Sequence, residues 1–217
     1  IYVEWSVNEK AALELGAGAA YSGARSMVTM KQVGLNVASD PLMSLAYIGV
    51  KGGMVIMVAD DPGPISSQTE QDYDMIQDAF EYSEKYGTPV LFRPTTRVCH
   101  GYASIEVKDE NEYSRNIPEG FVKDSSKWVI FPRLSYNAHI HIEERNAELS
   151  KIFSEYPRNV IVPEKAGGCK KGIATHGISY TYTAEALRDK AAPRVFKVAT
   201  PFPFPEQQAV EFLSGLG

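Results

Sequence analysis

Short apolar runs alternate with helical stripes along this chain, and the alternation itself predicts the architecture. Ile1 to Trp5 alternates apolar and polar residues and reads as a strand. Asn8 to Ser22 then reads as a helix, Ser26 to Met30 as a short strand, Lys31-Gln32-Val33-Gly34 as a loop, and Asp40 to Tyr47 as a helix. Met54 to Asp60 (MVIMVAD) is apolar almost throughout, as expected of a strand buried on both faces of a parallel sheet. A helix from Tyr73 to Tyr86 stops at Gly87 and leads through Thr88-Pro89 to a strand at Val90 to Phe92. This βαβ series predicts a doubly wound layer, with Met54–Ala59 central and flanked by strands near Trp5, Val28 and Leu91.

The regularity fades from about Arg97 to Asn159. The stretch GYASIEVKDENEYSRNIPEGFVKDSSKW is polar and punctuated by Pro and Gly, and reads as a connection laid over the surface. Trp128, Ile130, Phe131 and Leu134 are too apolar for a free tether, so this connection is expected to pack on the first domain. Leu149, Ile152 and Phe153 carry a helix from about Ile142 to Tyr156. A second α/β unit follows: strand Gly172 to Thr175, turn His176-Gly177, helix Ser179 to Arg188, strand Val195 to Val198, and helix Glu206 to Leu216 after PFPFPE. The expectation is an α/β protein of two domains, residues 1–100 and 165–217, joined by a linker over 101–164. Ile1 opens a strand already under way and the last helix lacks a following strand, which predicts a fragment of a longer protein.

The helix from Asn8 is unusual in its small residues, Ala11, Ala12, Gly16, Ala17, Gly18, Ala19, Ala20, Gly23 and Ala24. Glycine inside a helix costs about 1 kcal/mol against alanine, so Gly16 and Gly18 call for the close approach of a backbone, a second subunit or a planar cofactor. Glu9 stands at the mouth of this helix. The two together read as a ligand site at a strand end.

Composition narrows the class. The chain has 217 residues, 44% hydrophobic and 23% charged, enough for real cores. A net charge of -5 leaves no footprint for nucleic acid or an anionic membrane. No apolar run reaches the ~20 residues of a membrane span, and no signal peptide opens the chain. Cys99 and Cys169 form no CxxC and no zinc or iron–sulfur spacing, which points to free thiols in a reducing, cytoplasmic compartment.

Spacing alone leaves the chemistry open. Glu9 answers a helix macrodipole as well as it would serve a ligand. The loop Asp60-Asp61-Pro62-Gly63-Pro64-Ile65-Ser66-Ser67-Gln68-Thr69-Glu70 follows a buried strand, where α/β folds bind ligands and where solvated turns are equally common. His100 reads as structural, and His176-Gly177 as a plain turn. His139 and His141 alternate as on a strand without a third metal ligand nearby, and read as surface or packing residues.

Resemblance narrows the field further. VTMKQVGLNVASDPL and VADDPGPISSQTEQD are specific blocks, and with GTPVLFRPTTRVCH, GIATHGISYTYTAEAL and VFKVATPFPFPE they make nearly the whole chain resemble the thiamine-diphosphate-dependent 2-oxoacid:ferredoxin oxidoreductases, in particular the α subunits that act on indolepyruvate. The resemblance implies a thiamine-diphosphate-binding fold: a mostly parallel sheet with helices on both faces as pyrimidine-binding domain, plus a smaller domain of transketolase C-terminal type. It implies that Mg²⁺ with the cofactor's pyrophosphate end, and 4Fe-4S clusters, are held outside these residues. It also implies roughly twenty more residues in most members between the positions of Asp72 and Tyr73, a loop length that tolerates excision.

By that likeness Glu9 is the acid that hydrogen-bonds the thiamine pyrimidine at N1′ and turns the cofactor into its own base for the C2 proton. Such an acid works best shielded from water. Gln32, Val33, Gly34 and Asn36 are the implied cofactor-binding residues, and Asp60, Asp61, Ser66, Ser67 and Gln68 the substrate-cleft candidates. Ile65 stands where many relatives carry a His, so no acid–base role is implied there. The implied partners are an aryl-pyruvate, coenzyme A, ferredoxin and a β subunit in a dimer of heterodimers, with no nucleic acid and no membrane. Two alternatives stay open: a related enzyme for pyruvate or branched-chain oxoacids, and a non-catalytic dimerisation module.

Overall fold

The structure is a computed structural model that describes residues 1–59, 75–94, 107, 109–112, 117–163, 170–188 and 193–216. The described residues up to His139 form one compact unit, and those from Ile140 onward form a second.

In the first unit the elements are α1 (Glu9–Tyr21), β1 (Ser26–Lys31), α2 (Gln32–Val37), α3 (Ser39–Ile48), β2 (Met54–Ala59), α4 (Met75–Tyr86) and β3 (Val90–Phe92). The strands form a parallel sheet in the order β1-β2-β3, with Val28 opposite Ile56 and Ile56 opposite Leu91. The apolar run thus forms the central strand, as its composition predicts. Its alternate side chains face two cores: Met54, Ile56 and Val58 join Leu13, Ala17, Ala20, Val28 and Leu45 on one side, while Val55 packs with Ala79 and Phe92 on the other. A strand with an apolar residue at every position requires helices over both faces, and α1 and α4 supply them.

Gly16 has a packing reason and Gly18 has none among the described residues. A methyl group on Gly16 would collide with Val28 Cγ2 and stand 3.3 Å from Met54 Cε, whereas one on Gly18 would meet nothing within 4 Å. Close seating of α1 on the sheet therefore accounts for Gly16. Ser83 closes the other side of the layer: its hydroxyl accepts from Met54 N at 2.8 Å and donates to the Thr88 carbonyl at 2.7 Å, tying α4 to β2 and to the turn before β3.

Three expectations are corrected. Ile1–Trp5 is not a strand; it pairs with no strand of the described sheet and Trp5 is fully exposed, so alternation without a partner leaves the segment irregular. Gln32–Val37 is a short helix, not a loop, since burial of Gly34 and Leu35 against α1 and the sheet overrides the poor helix propensity of glycine. The helix placed at Ile142 starts ten residues earlier, as α6 (Pro132–Ser154), after a single turn α5 (Ser125–Trp128). Pro132 is well suited to a first helical position, where its missing N–H costs nothing. His139 and His141 consequently lie on a helix.

Of the connection, the stretch from Glu119 to Trp128 packs on the first unit as expected of Trp128. The Trp128 ring lies 5.0 Å from Tyr21 and 5.5 Å from Phe121, and its Nε1 donates to the Val122 carbonyl at 2.9 Å. Gly120 N donates to the Ser22 carbonyl, and Lys51 pairs with Glu119 at 2.7 Å. Ile130 and Phe131 stay largely exposed.

The second unit contains β4 (Val160–Val162), β5 (Gly172–Thr175), α7 (Gly177–Leu187), β6 (Arg194–Lys197) and α8 (Glu206–Ser214). Its sheet runs β4-β6-β5, with β5 and β6 parallel and β4 antiparallel at the edge; β4 was not foreseen. Phe196, Val198 and Phe212 form its core. Asn159 is the polar hub: its Nδ2 donates to the Phe153 carbonyl (2.7 Å) and Thr200 Oγ1 (2.8 Å), and its Oδ1 accepts from Ala199 N (2.6 Å).

Candidate functional site

The parallel layer fixes where a site can form. Because α1 runs back across the sheet before β1, its N-terminus sits at the carboxyl end of β1, the edge at which open α/β sheets bind ligands. Lys31 at that end lies opposite Ala59 of β2, so α2 starts at the edge where β2 ends.

At this edge the sequence solves the helix end without Glu9. Asn8 adopts an extended conformation and its Oδ1 accepts from Ala11 N at 2.8 Å, making Asn8 the N-cap of α1. The cap is legible in the sequence as an Asn just ahead of the apolar stripe. With Asn8 in that role, the Glu9 side chain is released from capping and lies against Gly34 of α2. A methyl group on Gly34 would stand 2.6 Å from Glu9 Cγ, 2.7 Å from Oε1 and 2.9 Å from Cδ. Glu9 is half-buried and Gly34 buried.

The next side chain is turned elsewhere. Lys10 pairs with Asp40 of α3 at 2.6 Å, a hydrogen bond that holds the Lys10 ammonium pKa above its ordinary value. This pins the start of α1 to α3. Glu14 is exposed on α1, five residues beyond Glu9 and on a different azimuth.

The structure brings some of the sequence candidates together. Gln32 opens α2, is half-buried, and its Oε1 is buried with no hydrogen-bond partner among the described residues. A buried carbonyl oxygen left so is costly, and suits a donor brought by a ligand. Val33 and Asn36 are exposed on the outer side of α2. Asp60, Asp61, Ile65, Ser66, Ser67 and Gln68 lie outside the described residues, as do Cys99, His100 and Cys169.

The described histidines form no site. His141 pairs with Glu144 on the surface of α6, the His139 ring is 6.5 Å from that of Tyr47, and His176 is exposed at the head of α7. Among the described residues no three His, Cys, Asp or Glu side chains converge as a metal site, and no helix is long and apolar enough to cross a membrane. Ser83 and Asn159 were missed by sequence reasoning; both are buried polar groups whose role depends on backbone brought from elsewhere in the chain.

Comparison with known proteins bears out the resemblance drawn from the sequence. No protein-family model matches the chain. It is similar over its full length to the indolepyruvate oxidoreductase subunit IorA of Methanothermobacter thermautotrophicus (39% identical, 38% of that protein) and of Pyrococcus abyssi (37% identical, 37% of that protein). The Archaeoglobus fulgidus IorA is 35% identical over 98% of this chain. The chain thus spans little more than a third of these relatives. The alignment with the Pyrococcus protein runs over 246 positions against 217 residues here, so that protein carries internal residues without a counterpart in this chain. In fold, the chain is similar to a 2-oxoglutarate:ferredoxin oxidoreductase from Magnetococcus marinus, with a TM-score of 0.60 over 97% of this chain and 48% of that one, at 12% identity.

Proposed function

We propose that this chain, a relative along its whole length of the indolepyruvate oxidoreductase subunit IorA, is the pyrimidine-binding part of a thiamine-diphosphate-dependent enzyme. That enzyme oxidatively decarboxylates aryl-pyruvates such as indolepyruvate to the aryl-acetyl-CoA, with ferredoxin as electron acceptor. The observation that carries the reading is the Glu9 carboxyl seated against Gly34 at the carboxyl end of β1, with the unpartnered Gln32 Oε1 opening the same short helix. A bare dimerisation module has no use for an acid so placed.

The residues present fit the pyrimidine end of thiamine diphosphate. Glu9, relieved of capping by Asn8, would hydrogen-bond the ring nitrogen N1′. Gln32 Oε1 offers an acceptor to the amino group of the same ring, and exposed Val33 offers an apolar wall beside it. When bound, the cofactor supplies the nucleophilic carbon and the electron sink for decarboxylation. The chain's own task is to orient one ring and to hold one proton. Asn36 is proposed to stand on the cofactor side with Gln32 and Val33, and Asp60, Asp61, Ser66, Ser67 and Gln68 to line the substrate cleft. The pyrophosphate with Mg²⁺, the 4Fe-4S clusters, coenzyme A and the β subunit belong, in this reading, to the rest of a cytoplasmic dimer of heterodimers.

The test uses the intact enzyme. Glu9→Gln is isosteric, so folding and much of the cofactor affinity should persist. Loss of the carboxyl proton should slow turnover by a factor on the order of 10² or more. Glu14→Gln, at an exposed position, should cost far less. Deuterium exchange at thiamine C2, followed by NMR after acid quench, reads the step directly. An unchanged exchange rate in Glu9→Gln overturns the assignment. Turnover of indolepyruvate, phenylpyruvate and pyruvate by the same complex tests the substrate class.

A further inference from the structure

We propose that Gly34 is a positioning residue: its missing side chain sets where the Glu9 carboxyl stands, and it acts on the site only through that acid. The inference rests on the assignment of Glu9 made above and deepens it.

The usual reasons for a glycine fail at this position. Gly34 lies inside α2 and is absent from the described glycines with positive φ, Gly23, Gly49, Gly87, Gly120 and Gly177, so its backbone would accept an L side chain. Glycine is among the poorest helix formers, so α2 gains nothing from it. Space is the remaining reason. The three atoms nearest to an added Cβ all belong to Glu9: Cγ, Oε1 and Cδ, at 2.6, 2.7 and 2.9 Å. At Gly16, by contrast, the added carbon meets Val28 and Met54 of the hydrophobic core. At Gly16 the first conflict is thus with the core, and at Gly34 it is with the Glu9 side chain.

The mode of conflict decides what a substitution does. The Glu9 backbone cannot yield easily, because Asn8 caps α1 and Lys10 ties its first turn to Asp40. The Glu9 side chain can rotate. Because Cγ is the nearest atom, turning the terminal carboxyl alone does not relieve the contact; χ1 or χ2 must change, and the carboxyl swings with it. Gly34→Ala should therefore leave the fold intact and displace the acid. A structural glycine would behave in the opposite way.

The experiment uses the full-length subunit in its complex, as wild type, Gly34→Ala, Glu9→Ala and the double variant. Calorimetry measures the affinity of each for thiamine diphosphate and for its N1′-deaza analogue, which cannot accept a hydrogen bond at that ring position. Wild type should prefer thiamine diphosphate by about tenfold or more, the size of one charge-assisted hydrogen bond. Gly34→Ala should abolish this preference, Glu9→Ala should do the same, and the double variant should show nothing further. A Gly34→Ala enzyme that keeps the wild-type preference overturns the proposal.

If wild type shows no preference, the role given to Glu9 fails, and the crystal structure of Gly34→Ala decides positioning on its own. A carboxyl displaced by about 1 Å or more, a shift large enough to disable a catalytic group, supports it, and an unmoved carboxyl overturns it. If Gly34→Ala does not fold, the double variant decides: folding restored by removing the Glu9 side chain supports the proposal, and continued failure overturns it.

Discussion

Ser83→Ala should be among the most damaging single-atom deletions in the first unit. Ser83 is fully buried, and its hydroxyl is the hydrogen-bond partner of both Met54 N and the Thr88 carbonyl. Met54 is itself fully buried at the start of the central strand, so its amide has no access to water once the hydroxyl is gone. A buried donor stranded in this way costs about 1–3 kcal/mol, and loss of the second bond adds about 1 kcal/mol. A total near 2.5 kcal/mol is expected, with little offset because alanine leaves only a hydroxyl-sized gap.

Urea unfolding followed by tryptophan emission reads this unit specifically. The chain has two tryptophans; Trp5 is exposed in the folded state, so the signal comes from Trp128 packed on Tyr21 and Phe121. With a denaturant slope of about 2 kcal/mol per molar, the midpoint should fall by about 1.2 M at unchanged slope. Ser22→Ala is the control, since that hydroxyl donates to the Gly18 carbonyl of its own helix at 3.0 Å, and its loss should stay within about 0.5 kcal/mol. A midpoint shift for Ser83→Ala no larger than the control's would refute the reasoning.

Further expectations follow from the same packing. Gly16→Ala should destabilise by about 1–2 kcal/mol, because crowding of Val28 outweighs the gain in helix propensity, whereas Gly18→Ala, with open space around it, should stabilise by up to about 1 kcal/mol; opposite shifts in thermal midpoint check the pair. Asn159→Ala should cost the second unit about 3 kcal/mol, since it strands the Ala199 amide and removes bonds to Phe153 and Thr200; hydrogen exchange at Ala199 and Thr200 should quicken while exchange in β2 does not. The Lys51 ammonium holds the Glu119 carboxyl below the ordinary carboxylate range. A lowered folded pKa means that this pair contributes above the ordinary carboxyl pKa and is lost as pH falls through the folded value. An NMR titration of Glu119 should show the depressed midpoint, and Lys51→Met should restore the ordinary one.

The sequence by itself determined the elements whose reason is local. Met54–Ala59 has no polar face to offer water, so it had to be a central parallel strand with helices on both sides, and Val28 and Leu91 mark its neighbours. Gly87 stops α4, and the stripe from Leu13 through Ala17 to Ala20 makes α1 one-sided. The specific blocks around Gly34 and Asp60 also pointed to a family that the relatives support. Tertiary structure decided what depends on partners distant in sequence. Ile1–Trp5 has strand composition but no described strand beside it. Gln32–Val37 has a glycine and two β-branched valines among its six residues, yet winds into a helix because Gly34 and Leu35 are pressed against α1 and the sheet. The functional meaning of Gly34 was equally invisible in one dimension. Glu9 and Gly34 are separated by a helix and a strand, and only the antiparallel return of α1 over β1 brings the carboxyl of one into the space that the other leaves empty.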